Sequence, residues 1–172
     1  SGNTNTLKQN EKKYLYKTII TNPLKKKNKV ISSTLIRKNL SFGKPSLVSK
    51  LLGRPWCVEG EVVKGFQRGR KIGFPTCNIK LNDYILPKYG VYAVTVQSGK
   101  LKVKRRGIAN VGIRPTFNGK LPLLEVNIFG INTNLYKKIL KVNFIKFIRK
   151  EKKFENIQSL KKQIQKDIIK AR

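Results

Sequence analysis

The chain has 172 residues, 39% of them hydrophobic, with 39 Lys or Arg against eight Asp or Glu and a net charge of +31. Histidine is absent, which excludes His-dependent triads, His-ligated metals and a His general base, and no apolar run reaches membrane-spanning length. The size suits one ordinary domain with an appendage, and the charge predicts salt-sensitive, nonspecific attraction to polyanions such as nucleic acid.

The first residues, Ser1-Gly2-Asn3-Thr4-Asn5, lack the basic-then-apolar layout of a signal peptide. The chain has no Met and reads as an internal fragment or a processed product. Residues 1–30 are polar and rich in Lys and Asn. Within them, residues 15–21 predict a strand and Lys25-Lys26-Lys27-Asn28-Lys29 a solvated turn. Ser32-Ser33-Thr34 then stands before Leu35, Ile36 and Leu40, a hydroxyl cap that opens a short helix ended by Gly43. Pro45 opens a second, carrying Leu47, Val48, Leu51 and Leu52 and closed by Gly53.

From Trp56 the pattern turns to strands. Residues 57–64, 90–97, 102–111, 123–129 and 139–147 each form a short apolar run, separated by Gly or Pro turns. Strands at this spacing predict an antiparallel barrel or sandwich. Residues 156–170 predict a helix, with Ile157, Leu160, Ile164 and Ile168 on one stripe and Lys161, Lys162, Lys166 and Lys170 off it. The stripe packs on the barrel and the lysines form a solvated face. Cys57 and Cys77 have no metal-ligand spacing and read as reduced thiols filling space.

Between the first two strand signals lies Gly65, then Gly69-Arg70-Lys71-Ile72-Gly73-Phe74-Pro75-Thr76-Cys77-Asn78. Glycines let backbone N–H groups approach an anion. Thr76 and Asn78 supply hard oxygen ligands of the kind Mg²⁺ takes alongside phosphate oxygens and water. The spacing matches neither the P-loop nor the dinucleotide fingerprint, and a glycine turn that merely reverses the chain is the plain alternative.

Gly53-Arg54-Pro55, the Gly69 to Asn78 segment, Gly90-Val91-Tyr92, Ala109-Asn110-Val111-Gly112-x-Arg114-Pro115-Thr116, Leu124-Glu125-Val126 and Leu135-Tyr136 occur in this order. Together they resemble the riboflavin kinase domain of the prokaryotic bifunctional riboflavin kinase/FMN adenylyltransferase (FAD synthetase) family, over about residues 51–170. Ile31-Ser32-Ser33-Thr34-x-Ile36-Arg37 resembles the end of that family's adenylyltransferase domain. The resemblance implies a mainly β fold: a six-stranded antiparallel barrel with a C-terminal α-helix, preceded by a short α/β remnant. Residues 1–50 would be the adenylyltransferase remnant plus linker, and residues 51–172 the kinase domain. It implies transfer of the ATP γ-phosphoryl group to the 5′-hydroxyl of riboflavin, with Mg²⁺ as cofactor and a cytoplasmic location, or an organelle matrix in a eukaryote. Thr76 and Asn78 would hold the metal. Gly65, Gly69, Arg70, Gly73, Phe74 and Pro75 would complete the nucleotide site. Arg114, Pro115, Thr116 and Tyr136 would lie on the flavin side, although Tyr136 at a strand edge is equally placed for packing. The HxGH-type motif of the adenylyltransferase cannot be present without His, so the chain alone should not make FAD.

The same resemblance gives Glu125 as the general base. Glu11, Glu151, Glu155 and Asp167 lie in polar, Lys-rich segments, Glu59 and Glu61 flank Gly60 on a strand that faces them to solvent, and Asp83 sits in a turn. Glu125 alone interrupts an apolar strand, and needs a buried partner or a catalytic task; the structural alternative is a barrel-lining Glu paired to an Arg such as Arg114. Acids after Phe129 have become amides, and the glycine after Leu135-Tyr136 has become Lys137. The competing reading, motivated by the charge, is a catalytically silent kinase-fold protein that binds RNA through its basic ends. Retention of Thr76, Asn78 and Glu125 argues for the enzyme.

Overall fold

A computed structural model of the chain describes residues 3–26, 29–65, 67–81, 84–98, 104–116, 119–131 and 133–172, and of residues 29, 114–116, 119 and 120 the backbone alone. Two compact units divide at Ser32/Ser33. In the first, α1 (Thr4–Gln9) is capped by the Asn3 side chain, which accepts from Thr6 N at 2.8 Å. The short α2 (Glu11–Tyr14) ends at Leu15 with φ +54°. Residues 15–21 form no strand: the left-handed turn at Leu15 redirects the chain, and Thr18 N donates to the Glu11 carboxylate at 2.6 Å, so the segment bends beside α2 instead of extending. In the lysine run β1 (Lys25–Lys26) pairs antiparallel with β2 (Lys29–Val30); Lys27 and Asn28, on which the expected turn falls, lie outside the described residues.

The second unit opens with α3 (Ser33–Ser41) and α4 (Pro45–Leu52). Each ends at a glycine with φ +70°, Gly43 and Gly53, the backbone state that favours glycine. Ser46 Oγ donates to Ile145 O at 2.7 Å and Lys88 N to Leu40 O at 3.0 Å, which tie this helix pair to the sheet. There follow β3 (Cys57–Glu61), the single turn α5 (Arg68–Lys71), β4 (Cys77–Lys80), β5 (Gly90–Ser98), β6 (Arg105–Thr116), β7 (Gly119–Ile128), β8 (Ile139–Arg149) and α6 (Ile157–Ala171).

The six strands β3 to β8 form one sheet in the order β3-β8-β5-β6-β7-β4, every neighbouring pair antiparallel. Its edges meet where Val63 N donates to Asn78 O at 2.9 Å, which closes the expected six-stranded barrel. Alternation sends Val58, Tyr92, Val94, Val111, Leu124, Val126, Val142 and Phe144 inward to a buried core. Phe144 stands 4.8 Å from Trp56 and 5.0 Å from Tyr92, ring centre to ring centre, and burying a side chain of that size contributes about 1.5–3 kcal/mol. The inward Tyr92 hydroxyl donates to Lys88 O, and burial raises its pKa well above the ordinary value.

Helix α6 starts at Asn156, whose side chain accepts from Ser159 N at 2.8 Å. It is clamped to β8 by Arg149. The guanidinium Nε donates to both Asp167 oxygens at 3.0 and 2.9 Å, Nη2 lies 2.7 Å from Oδ2, and Gln163 adds a 2.9 Å bond. Asp167 is 1% exposed, so breaking this pair from one side costs about 3–5 kcal/mol. Sequence reasoning set Asp167 aside as a solvated acid; the bidentate Arg partner is what allows its burial.

Candidate active site

The candidate residues Asn78 and Glu125 lie on the outer face of the barrel. In the sheet register Asn78 of β4 is opposite Glu125 of β7, and Glu125 is opposite Asn110 of β6. Directly opposed residues share a face, so an amide, a carboxylate and an amide stand in one row. Leu124 and Val126, the neighbours of Glu125, point inward. Glu125 therefore faces out of the barrel and not into its core. A cleft of about 560 Å³ lies on this face, with Val91, Ile108 and Glu125 on its barrel side and Ile157, Leu160 and Ile164 on its helix side. Three of the four residues of the α6 stripe expected to pack on the barrel thus line a cavity instead. The volume lies in the range of small-molecule sites.

The glycine segment forms the rim. One turn of helix, α5, replaces the expected plain turn. Phe74 N donates to Gly69 O at 2.8 Å, and a Cβ at Gly69 would overlap Phe74 O and stand 3.5 Å from Thr76 Oγ1. Gly73 takes φ +89°. Gly69, Phe74 and Thr76 line the large cleft. Arg70, Pro75, Thr76, Cys77 and Tyr136 line a smaller cavity of about 190 Å³. Among the described residues of the predicted site Thr76 alone borders both, and burial raises the Cys77 thiol pKa beside it. Asn127, two residues beyond Glu125, donates to Pro75 O at 2.7 Å and ties this rim to β7.

Asn78 lines neither cavity. It is 8% exposed and lies against Gly65, where a Cβ would overlap its Nδ2. Its Oδ1 is buried with no hydrogen-bond partner among the described residues. A buried acceptor left in this state is costly unless a ligand completes it. Tyr136 lines the smaller cavity and packs against the core. The backbone of Arg114, Pro115 and Thr116 pairs with β7; their side chains lie outside the described residues, as does Asp83. Glu59 and Glu61 are exposed, as expected.

Sequence reasoning missed Glu151. Asn110 Nδ2 donates to Glu151 Oε1 at 3.1 Å, and Glu151 lines the large cleft. Its signal was not in its own Lys-rich neighbourhood but in Asn110 and Gly112, forty residues earlier.

Fold and site together define a small antiparallel barrel with a cleft of small-molecule size on its outer face, next to a glycine-rich rim. Residues 52–172 match the family model for riboflavin kinase (flavokinase), and the chain belongs to that family. It is 44% identical over 171 residues to the bifunctional riboflavin kinase/FMN adenylyltransferase of Buchnera aphidicola subsp. Schizaphis graminum, covering 98% of this chain and 54% of that protein. It is 43% identical over 149 residues to the Bacillus subtilis protein of the same name, covering 84% and 46%. The chain thus spans about half the length of these curated relatives. A crystal structure described as a macrolide-efflux protein from Streptococcus pneumoniae superposes with a TM-score of 0.80 at 36% identity, covering 96% of this chain and 53% of that one. Among the described residues no helix is long and apolar enough to cross a membrane.

Proposed function

We propose that this chain is a riboflavin kinase, transferring the γ-phosphoryl group of ATP to the riboflavin 5′-hydroxyl to give FMN and ADP. The observation that carries the reading is the position of Thr76, shared by a large cleft that contains Glu125 and a small cavity that contains Arg70. Flavin in the first and nucleotide in the second would bring the hydroxyl and the γ-phosphate together at Thr76. Glu125 accepts the hydroxyl proton as the new O–P bond forms and the bond to the β-phosphate oxygen breaks. Arg70 and the N–H groups of the glycine rim offset phosphate charge.

The residues present fit a divalent cation. The orphaned Asn78 Oδ1 under Gly65 and the Thr76 hydroxyl are hard oxygen donors, and Mg²⁺ completes such a set with phosphate oxygens and water. When bound, it would neutralise charge on the transferring group. We further propose that residues 1–50 derive from the adenylyltransferase half of a bifunctional protein, as the relatives' names suggest, and that the chain works in the cytoplasm. Family membership and the site together favour this enzyme over an RNA-binding barrel.

The test is turnover with riboflavin, ATP and Mg²⁺, separating FMN from riboflavin and FAD. FMN without FAD is expected; none from folded protein overturns the reading. Glu125→Gln should lower turnover about 10²–10⁴-fold while riboflavin still binds, and near-normal turnover removes Glu125 as the base.

A further inference from the structure

Glu151 follows β8 in a Lys-rich stretch, yet two features of β6 hold its carboxylate in one place. Asn110 Nδ2 donates to Oε1 at 3.1 Å. Two residues on, and on the same outward face, Gly112 leaves open the space that the carboxylate occupies: a Cβ there would overlap Oε1 and stand 3.2 Å from Cδ. An alanine at 112 and this position of Glu151 are mutually exclusive. Both Glu151 and Glu125 line the large cleft, and Asn110 is the direct cross-strand partner of Glu125. One amide side chain therefore separates the two carboxylates.

A carboxylate only accepts hydrogen bonds and has about four acceptor sites. The Asn110 bond uses one. The rest of a ligand lying in this cleft meets mostly aliphatic and aromatic side chains, so Glu151 is a fixed acceptor set beside the reacting end. On the kinase reading, Glu125 takes the terminal hydroxyl of the ribityl chain, and the nearest further donors on the same substrate are its secondary hydroxyls. We propose that Glu151, positioned by Asn110 and Gly112, accepts hydrogen bonds from the secondary hydroxyls of the ribityl chain and so selects flavins that carry a polyol. The inference rests on the riboflavin kinase reading and adds the substrate feature that the cleft recognises.

Flavin fluorescence titration of the full chain tests it with two ligands that share a ring: riboflavin, and lumiflavin, which has a methyl group in place of ribityl. Wild type should bind riboflavin more tightly. Glu151→Ala should weaken riboflavin about tenfold, the scale of one hydrogen bond to a charged group, and leave lumiflavin within about twofold. Glu151→Gln, which keeps an acceptor oxygen without the charge, should fall between. Equal weakening of both ligands would assign Glu151 to the ring or to the fold and overturn the proposal, as would an unchanged riboflavin affinity in Glu151→Ala. Failure of wild type to bind riboflavin at all would instead sink the kinase reading and this inference with it.

Discussion

Gly65→Ala separates what the glycine rim does from what the fold requires. The backbone of Gly65 is not in the left-handed region, so alanine is not strained by φ. The penalty is steric: a Cβ at 65 would stand 3.0 Å from Asn78 Cγ and overlap Nδ2, where carbon and nitrogen need about 3.5 Å or more. The carboxamide must move by about 1–2 Å, or the loop must lift by as much. Overpacking of this kind costs about 1–3 kcal/mol, and in a chain of this length each kcal/mol lowers Tm by about 2–4 °C. The catalytic cost should be larger, because a misplacement of about 1 Å can cost 10²-fold in rate. We expect Gly65→Ala to lower Tm by several degrees, to raise the Mg²⁺ and ATP requirement together, and to leave riboflavin binding intact, since neither Gly65 nor Asn78 lines the large cleft. The double variant Gly65→Ala/Asn78→Ala removes the overlap. It should recover stability relative to Gly65→Ala but no activity, a coupling that a double-mutant cycle reads directly. Wild-type kinetics in Gly65→Ala would refute the metal role of Asn78, and failure of the double variant to recover stability would refute the steric argument.

Two further outcomes follow from single residues. Lys137 holds φ +61° while its N–H donates to Val62 O at 3.0 Å; relief of the left-handed penalty, less the added freedom of glycine in the unfolded chain, should make Lys137→Gly more stable by about 0.5–1 kcal/mol in thermal or urea unfolding, and a destabilised variant would contradict this. The buried Tyr92 has a raised pKa, so above pH 10 the unfolded chain ionises this phenol while the folded one does not. Stability from Tyr92 is full below pH 10 and declines above it, by about 1.4 kcal/mol at pH 11; the stability gap between wild type and Tyr92→Phe in urea titrations should narrow by that amount between pH 9 and 11, and a constant gap would refute it.

The parts of the molecule legible from sequence are those whose signal is local. Gly43 and Gly53 punctuate α3 and α4 because a positive φ is a one-residue requirement. The apolar period of α6 and the runs of β5 to β8 report burial along a single element. β4 was invisible to periodicity: four residues, Cys-Asn-Ile-Lys, with Asn78 buried among them, show no alternation, and only the motif marked the place. The N-terminal helices α1 and α2 bury no side chain of their own, so no apolar stripe announced them. The site was legible where chemistry sits on one strand, as with Glu125, and illegible where it arises from partners distant in sequence. Asp167 reads as a solvated acid because its neighbours are lysines, whereas Arg149, 18 positions away, allows its burial; Glu151 is exposed as its neighbours predict, and only its bond from Asn110, 41 positions away, was hidden.

The distribution of charge now has a local meaning. A chain with eight acids among 39 basic residues has few carboxylates with which to shape any surface, and Glu125, Glu151 and Asp167 all line the same cleft. Among the described residues four cations line it as well, Arg68, Lys71, Arg149 and Lys152, so these walls are close to neutral although the chain is strongly positive. A near-neutral, mostly apolar cleft suits an uncharged ligand, because a large unbalanced field would draw in counter-ions that the ligand must displace. The smaller cavity has a different balance: among the described residues Arg70 is the only charged one on its lining, which suits an anion. The net charge raises the local concentration of ATP and of every other polyanion alike, and salt screens that attraction within about 10 Å. Discrimination must therefore come from the walls of the two cavities: the large cleft, where three acids nearly cancel the cations, and the smaller one, where Arg70 stands without an acid among the described residues.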